Sequence, residues 1–268
     1  MADLPDYMTD PNAVLGDADA EWRHGQPPDY SKTRKVFEQT KQTSHAPGSL
    51  PDLVQNLVKN WEIEASFKKN LRDWRTVDPD TYTFSVNGGP PQPAAYMLKV
   101  GTYNAIIGAP NAWYSPRRSD LASSHKTFKR MMPTFAWEVL EVYGGPPRRR
   151  LQVAPLGRNE GGLCLCGRIT AKAHGGTIDI QGVTVAHLND KFQVTKLETW
   201  FDPVEMFRQI APEGSALSQQ SSAALAGAAA GCPVMAGSHG VSSDDAVQGA
   251  SGNVEATVVL EAATGKQP

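Results

Sequence analysis

Between residues 47 and 74, large apolar side chains return every three or four positions: Leu50, Leu53, Val54, Leu57, Val58, Trp61 and Ala65. At about 100° per residue they form one stripe roughly 140° wide, the pattern of an amphipathic helix. Ser49 stands where an N-cap is expected, with Pro51 and Asp52 in the first turn. Glu64 and Lys68 fall inside that apolar stripe, while Glu62 and Ser66 are expected to face away from it. Docking by the stripe carries Glu64 inward, since each buried apolar side chain is worth about 2 kcal/mol. Two readings follow. The helix end runs past its support and Glu64–Lys68 is an exposed i,i+4 pair. Alternatively the last turn borders a cavity, where a desolvated carboxylate can exchange protons with a substrate.

Further along, "PAAYMLKVGTYNAII" predicts a second helix ended by Gly108 and Pro110, and "SDLASSHKTFKRMM" a third stopped at Pro133. "DYSKTRKVFEQT" predicts a short early helix capped by Asp29 or Ser31. The runs "FAWEVLEVY", "RRLQVAPL", "LCLCGRITA", "HGGTIDIQGVTVAHL" and "KFQVTKLETWF" read as strands, with turns at "GGPP" and Asn189-Asp190. Helices first and strands last argue an α+β fold, with helices on one face of a mostly antiparallel sheet. Residues 1–46 read as a polar N-terminal extension and 47–212 as the folded domain. Residues 213–268, rich in Ala, Ser and Gly, bury too little to offset chain entropy and are expected to be disordered.

Composition narrows the function classes. Charged residues are 20 % of the 268 and the net charge is -2, so no general field draws nucleic acid. No stretch of about 20 apolar residues predicts a membrane span. The acidic start "MADLPDYMTD" reads as neither a secretion signal nor a transit peptide. Three cysteines make no disulfide framework, which suits a reducing compartment such as the cytoplasm. Cys164 and Cys166 lack a second ligand pair, so no metal is expected, and Cys232-Pro233 alone is a weak haem signal. No phosphate loop, dinucleotide glycine pattern or Ser-His-Asp order is present, so no cofactor is expected.

Several stretches are more particular: "EWRHGQPPDY" (21–30), "PGSLPDLVQNLVKNWEIE" (47–64), "VGTYNAIIGA" (100–109), "FAWEVLEVYGGPPR" (135–148) and the hairpin "HGGTIDIQGVTVAHLNDKFQVTKLETWFDP" (174–203). Over residues 21–212 the chain resembles the plant pathogen-related protein family and its relatives in the nuclear transport factor 2-like, or SnoaL-like, superfamily. That resemblance implies helices covering a strongly curved, cone-shaped sheet, with a pocket between them. In SnoaL-like cyclases, isomerases and dehydratases an Asp or His in the pocket moves protons on a hydrophobic substrate. Asp202, in "ETWFD", and His174 occupy matching positions. The Arg-His-Trp-Gly run usual in the pathogen-related group is replaced here by "VAPLG" (153–157).

The candidate acid/base residues are therefore Glu64, Asp202 and His174, and the candidate ligand contacts Trp61, Lys68, Tyr103, Asn104, Trp137 and Trp200. Each has a plainer alternative. Asp202 before Pro203 suits a helix cap, His174 a turn, Asn104 a buried amide bonded to backbone, and the aromatics a packed core. Three functions remain open. One is a binding or sensing protein for a small hydrophobic ligand. The second is a cyclase, isomerase or lyase acting on a polyketide- or steroid-like substrate. The third is a non-catalytic scaffold that forms a homodimer.

Overall fold

Residues 4–111, 113–144, 148–158, 163–165, 169–171 and 175–211 are described by a computed structural model, all within the compact unit Met1–Ala228. His174, Cys166, Cys232 and the 213–268 segment lie outside the described residues. In chain order, α1 (Asp6–Thr9) and α2 (Ser31–Thr40) precede the long α3 (Leu50–Phe67). A short hairpin, β1 (Thr83–Val86) and β2 (Gln92–Pro93), leads to α4 (Ala94–Val100), α5 (Thr102–Ile107) and α6 (Leu121–Met131). Strands β3 (Ala136–Val142), β4 (Arg148–Arg158), β5 (Leu163–Leu165), β6 (Ile169–Ala171), β7 (Thr177–Asp179), β8 (Gly182–Leu188) and β9 (Val194–Phe201) follow, and α7 (Pro203–Ile210) closes the described chain.

The fold is α+β. The main sheet runs β2-β1-β9-β8-β4-β3, with β7 also paired to β4, and β5-β6 form a separate pair. Among the described strands the pairings are antiparallel apart from β1, which lies parallel to β9 with Phe84 opposite Leu197, a direction continued by the parallel bridge Val77–Val194. The run "YTFSV" alternates apolar and polar residues before the turn "NGG", a strand signal absent from the elements predicted above. It becomes a strand because β9 offers it a free edge and because Phe84 is buried there.

α3 begins as its sequence dictates. The Ser49 hydroxyl accepts from the Asp52 amide at 3.5 Å, and the Asp52 carboxylate accepts from the Gly48 amide at 2.8 Å. The stripe faces the sheet, but the opposite side is buried as well. Glu62 and Ser66, expected to face away, are 4 % and 6 % exposed. Tyr30 and Lys129 of α6 cover Glu62, while residues 7–14 of the N-terminal extension are stitched onto the flank of α3 that carries Asn56 and Asn60. Asn60 donates to the carbonyls of Tyr7 and Asp10 and accepts from the Val14 amide, while Asn56 donates to the Met8 carbonyl. The Tyr30 hydroxyl donates to Glu62 Oε1 at 3.1 Å. Polar residues on a surface-looking helix face thus supply partners for backbone groups that are taken out of water.

Gln55 faces the edge strand β3. Its side-chain amide donates to the Trp137 carbonyl at 3.0 Å and its oxygen accepts from the Val139 amide at 2.7 Å. Thr43 and His45 add contacts to the Val139 carbonyl. An open edge that would otherwise invite another strand is occupied from within the chain.

The second predicted helix is broken in two at Gly101, with φ +92. A Cβ there would lie 2.8 Å from Ser124 Oγ and 2.9 Å from Leu121 Cα. Only glycine permits both that backbone turn and the close passage of α6. α6 itself starts with a capping box. Asp120 Oδ1 accepts from the Ser123 amide at 2.8 Å, and the Ser123 hydroxyl accepts from the Asp120 amide at 3.0 Å. Around α6 and α7 a second apolar cluster forms from Ile107, Phe128, Ile178 and Phe207.

Candidate functional site

Strand alternation decides which side chains meet the helices. On β8, Thr184, Ala186 and Leu188 point inward, and on β9, Leu197 and Thr199 do. Opposite them α3 presents Val54, Leu57, Val58 and Trp61, with Met97 from α4 and Ile106 from α5 closing the sides. These walls do not meet. They leave a cavity of about 90 Å³, completed by Phe84, Ser85, Val86, Trp137 and Val194.

The chemistry of that cavity is almost wholly apolar. Thr184 and Thr199 bond to each other at 3.1 Å, so their hydroxyls satisfy one another. Trp61 Nε1 is buried without a hydrogen-bond partner of ordinary geometry. Among the described residues no Asp, Glu, His, Lys, Arg, Cys or Tyr lines the space. It is smaller than the ~300–1,000 Å³ typical of drug-sized sites, and more than half the ~150 Å³ of an apolar cavity that stays dry and takes benzene.

Of the ligand contacts read from sequence, Trp61 and Trp137 line the cavity. The remaining four do not. Trp200 is 41 % exposed, because Leu197 and Thr199 take the inward positions and leave it on the outer face opposite Val183. Tyr103 stacks on Phe128 at 4.5 Å between centroids, in the second cluster. Asn104 is a buried structural amide. It donates to the Val100 and Ser119 carbonyls at 2.7 and 3.2 Å and accepts from the Tyr114 hydroxyl at 2.6 Å.

Lys68 and Glu64 form neither an exposed pair nor a cavity wall. Both are 0 % exposed. Lys68 Nζ donates to Glu64 Oε1 at 2.9 Å, to Asp17 Oδ2 at 2.5 Å and to the Asp73 carbonyl at 2.7 Å. Glu64 also accepts from the Arg75 amide at 2.7 Å, and from the Thr76 amide and hydroxyl at 3.1 and 2.5 Å. Burial pushes the Glu64 carboxyl above the ordinary carboxylate range; the Lys68 charge and the Thr76 and Arg75 hydrogen bonds act against that rise. Arg75 extends the group, with Nη2 2.9 Å from Asp17 and Nη1 2.7 Å from Asp6. The arrangement ties three segments together: the extension, the end of α3 and the 73–76 loop.

Asp202 is an exposed N-cap of α7. It accepts from the Val204 amide at 2.8 Å and lies 3.4 Å from Arg208. Glu64 and Asp202 share no partner, so these two candidates do not converge on a common substrate position. The sequence reading missed the buried partners of Lys68, since Asp17 and Asp73 belong to segments without periodicity.

The comparisons with known proteins bear on this geometry. No family model matches the chain. The chain is 32 % identical over 230 residues to the pathogen-related protein of Hordeum vulgare, covering 83 % of this chain and 92 % of that protein. It belongs to the pathogen-related protein family. Among solved structures, it is similar to a proposed polyketide cyclase of Acidithiobacillus ferrooxidans, at 12 % identity and TM-score 0.39, over 64 % of this chain and all of that one. It is also similar to a SnoaL-like polyketide cyclase of Agrobacterium tumefaciens (8 % identity, TM-score 0.33, 58 % of this chain and 96 % of that one). An NTF2-like protein of Cytophaga hutchinsonii matches at 14 % identity and TM-score 0.29, over 62 % and 98 % of the two chains. Among the described residues no helix is long and apolar enough to cross a membrane, and no group of three His, Cys, Asp or Glu is placed to hold a metal ion.

Proposed function

We propose that this pathogen-related family member binds a small hydrophobic molecule, or the apolar end of a larger one, in the cavity between α3 and the inner faces of β8 and β9. One observation carries the reading: a hollow of about 90 Å³ is left inside the core, walled by Val, Leu, Ile, Met and aromatic side chains, with no titratable group among its described lining. Unfilled apolar space forfeits dispersion contacts on every side, and an apolar guest restores them. Acid/base turnover finds no support in that wall, because the described lining offers no group to take or give a proton. Binding or sensing in a stress or defence setting, within a reducing cytoplasm, fits the family name and the cysteine usage.

Trp61 and Trp137, two of the six tryptophans, line the hollow, so the part of the emission change that Trp61→Phe and Trp137→Phe remove reports its contents. Titration with benzene and with short alkanols is expected to shift that emission saturably. Ala186→Leu projects a branched side chain into the space and is expected to abolish the shift while far-UV circular dichroism and cooperative melting are retained. If saturating apolar probes leave both tryptophans unmoved, or if Ala186→Leu binds them as the native chain does, the proposal fails.

A further inference from the structure

A second concavity, sharing no lining residue with the apolar one, has the opposite chemistry. Its volume is about 660 Å³, within the ~300–1,000 Å³ range of small-molecule sites. Two elements build it. Trp22 and Lys68 pair in a short antiparallel bridge, and the Arg23 amide donates to the Phe67 carbonyl at 2.8 Å, which sets Arg23 and His24 beside Phe67 and Lys69. Across from them α6 contributes Leu121, His125 and Lys129 at i, i+4 and i+8, so they share one face, with Ala122 and Lys126 alongside.

Six of the nine lining side chains are basic and none is acidic. Two carboxylates lie close by. Glu21 holds Lys69 at 2.5 Å, and Glu62 lies 3.5 Å from Lys129. Among the described residues no ion pair engages Arg23 or Lys126. Arg23 Nε and Nη2 and His125 Nε2 are buried without any hydrogen-bond partner. Unpaired buried polar atoms are costly to a fold, and the two Arg23 donors call for an acceptor that the chain does not itself supply. Burial is the main cause that brings His125 down to about 4, and the neighbouring charges of Lys129, His24 and Arg23 act in the same direction. The floor is not polar: Phe67 meets the His125 ring edge-on at 5.1 Å, and Leu121 and Ala122 flank it.

We infer that this groove is a binding site for a small organic anion, a carboxylate or phosphate carried on a flat apolar body, with Arg23, Lys126 and Lys129 engaging the charge and Phe67 and Leu121 the body. An Arg guanidinium offers a fork matched to either oxyanion, and the lysines add charge without fixing geometry. The inference is independent of the apolar cavity and survives or fails separately from it.

Isothermal titration of the full chain at pH 7 and low salt tests it, with benzoate, phenyl phosphate, inorganic phosphate and benzyl alcohol as probes. Benzoate or phenyl phosphate is expected to bind at least tenfold more tightly than inorganic phosphate, and saturating benzyl alcohol is expected not to displace it. Which of the two binds more tightly assigns the charged group. Two variants check the place. Arg23→Gln removes the fork, and Ala122→Asp sets a carboxylate on an exposed position in the first turn of α6, where the helix favours acid. Each is expected to weaken organic-anion binding tenfold or more with the melting curve preserved. Failure of both organic anions to bind at millimolar concentration overturns the inference. So does equal binding of inorganic phosphate and phenyl phosphate, or affinity unchanged in Ala122→Asp.

Discussion

Replacing Lys68 by Met is the sharpest test of how this chain is held together. The substitution keeps the apolar stem of the side chain and removes the terminal ammonium with its charge and donors. In the native structure that ammonium serves Glu64, Asp17 and the Asp73 carbonyl at once. Asp17 retains Arg75 at 2.9 Å, and Glu64 retains the donors of Thr76 and Arg75. The net loss is therefore one counter-charge to a carboxylate that is 0 % exposed. Breaking a buried pair from one side costs about 3–5 kcal/mol, a large part of the ~5–15 kcal/mol that holds a domain folded. At about 2–4 °C per kcal/mol for a chain of this size, the melting temperature should fall by roughly 10 °C. Urea unfolding at pH 7 measures the loss directly. Glu64→Gln alone should also destabilise, because an amide nitrogen then meets a field of donors. The double variant Glu64→Gln/Lys68→Met should lose clearly less than the sum of the singles, since neither leaves an uncompensated charge. Acid gives an independent check. Without Lys68 the folded pKa of Glu64 rises further above its unfolded value, so the native state binds more protons than the unfolded chain. The deficit of Lys68→Met relative to the native protein should then shrink as pH falls from 8 towards 5. A loss under about 1 kcal/mol for Lys68→Met, or a double variant as poor as the sum, would refute the description of this group as one coupled buried unit.

Other consequences are as concrete. Lys59 is 8 % exposed, with Nζ 4.2 Å from the Phe37 ring centroid; burial, then the charge of Arg34, lower it to about 8. At pH 7 it is charged in both states, so the fold carries its desolvation, and Lys59→Met should gain about 1–3 kcal/mol in thermal melts at that pH. Between pH 8 and 10.5 the unfolded chain holds the proton that the fold has released, so native stability rises and the advantage of the variant should fade by pH 10. Gly101→Ala forces a Cβ to within 2.9 Å of Leu121 Cα at a positive φ, and urea unfolding should report a loss above about 2 kcal/mol. Asp202→Ala removes the N-cap bond of α7 and should cost about 1 kcal/mol while leaving the tryptophan response to apolar probes unchanged. Loss of that response in a folded Asp202→Ala would place Asp202 in the site.

What the sequence alone determined is whatever depends on near neighbours along the chain. The apolar repeat and Ser49 located α3, the alternation in "GVTVAHL" and "VTKLETWF" located β8 and β9, and Asp202 before Pro203 announced the cap of α7, because periodicity and capping are local. Periodicity also placed Trp61 on the sheet side of α3, where it lines the cavity. Tertiary structure decided the rest. Whether Glu62 meets water depends on Tyr30 and on Lys129 of α6 covering a face that α3 alone would leave open. The partners of Glu64 and Lys68 come from Asp17, Asp73 and Thr76, brought together only by the fold. β1 became a strand by lying parallel to β9, a pairing that its four residues do not encode. The hollow itself follows from how closely helices approach the sheet, and that spacing is set by the sum of all side chains between them, a quantity no short window of sequence contains.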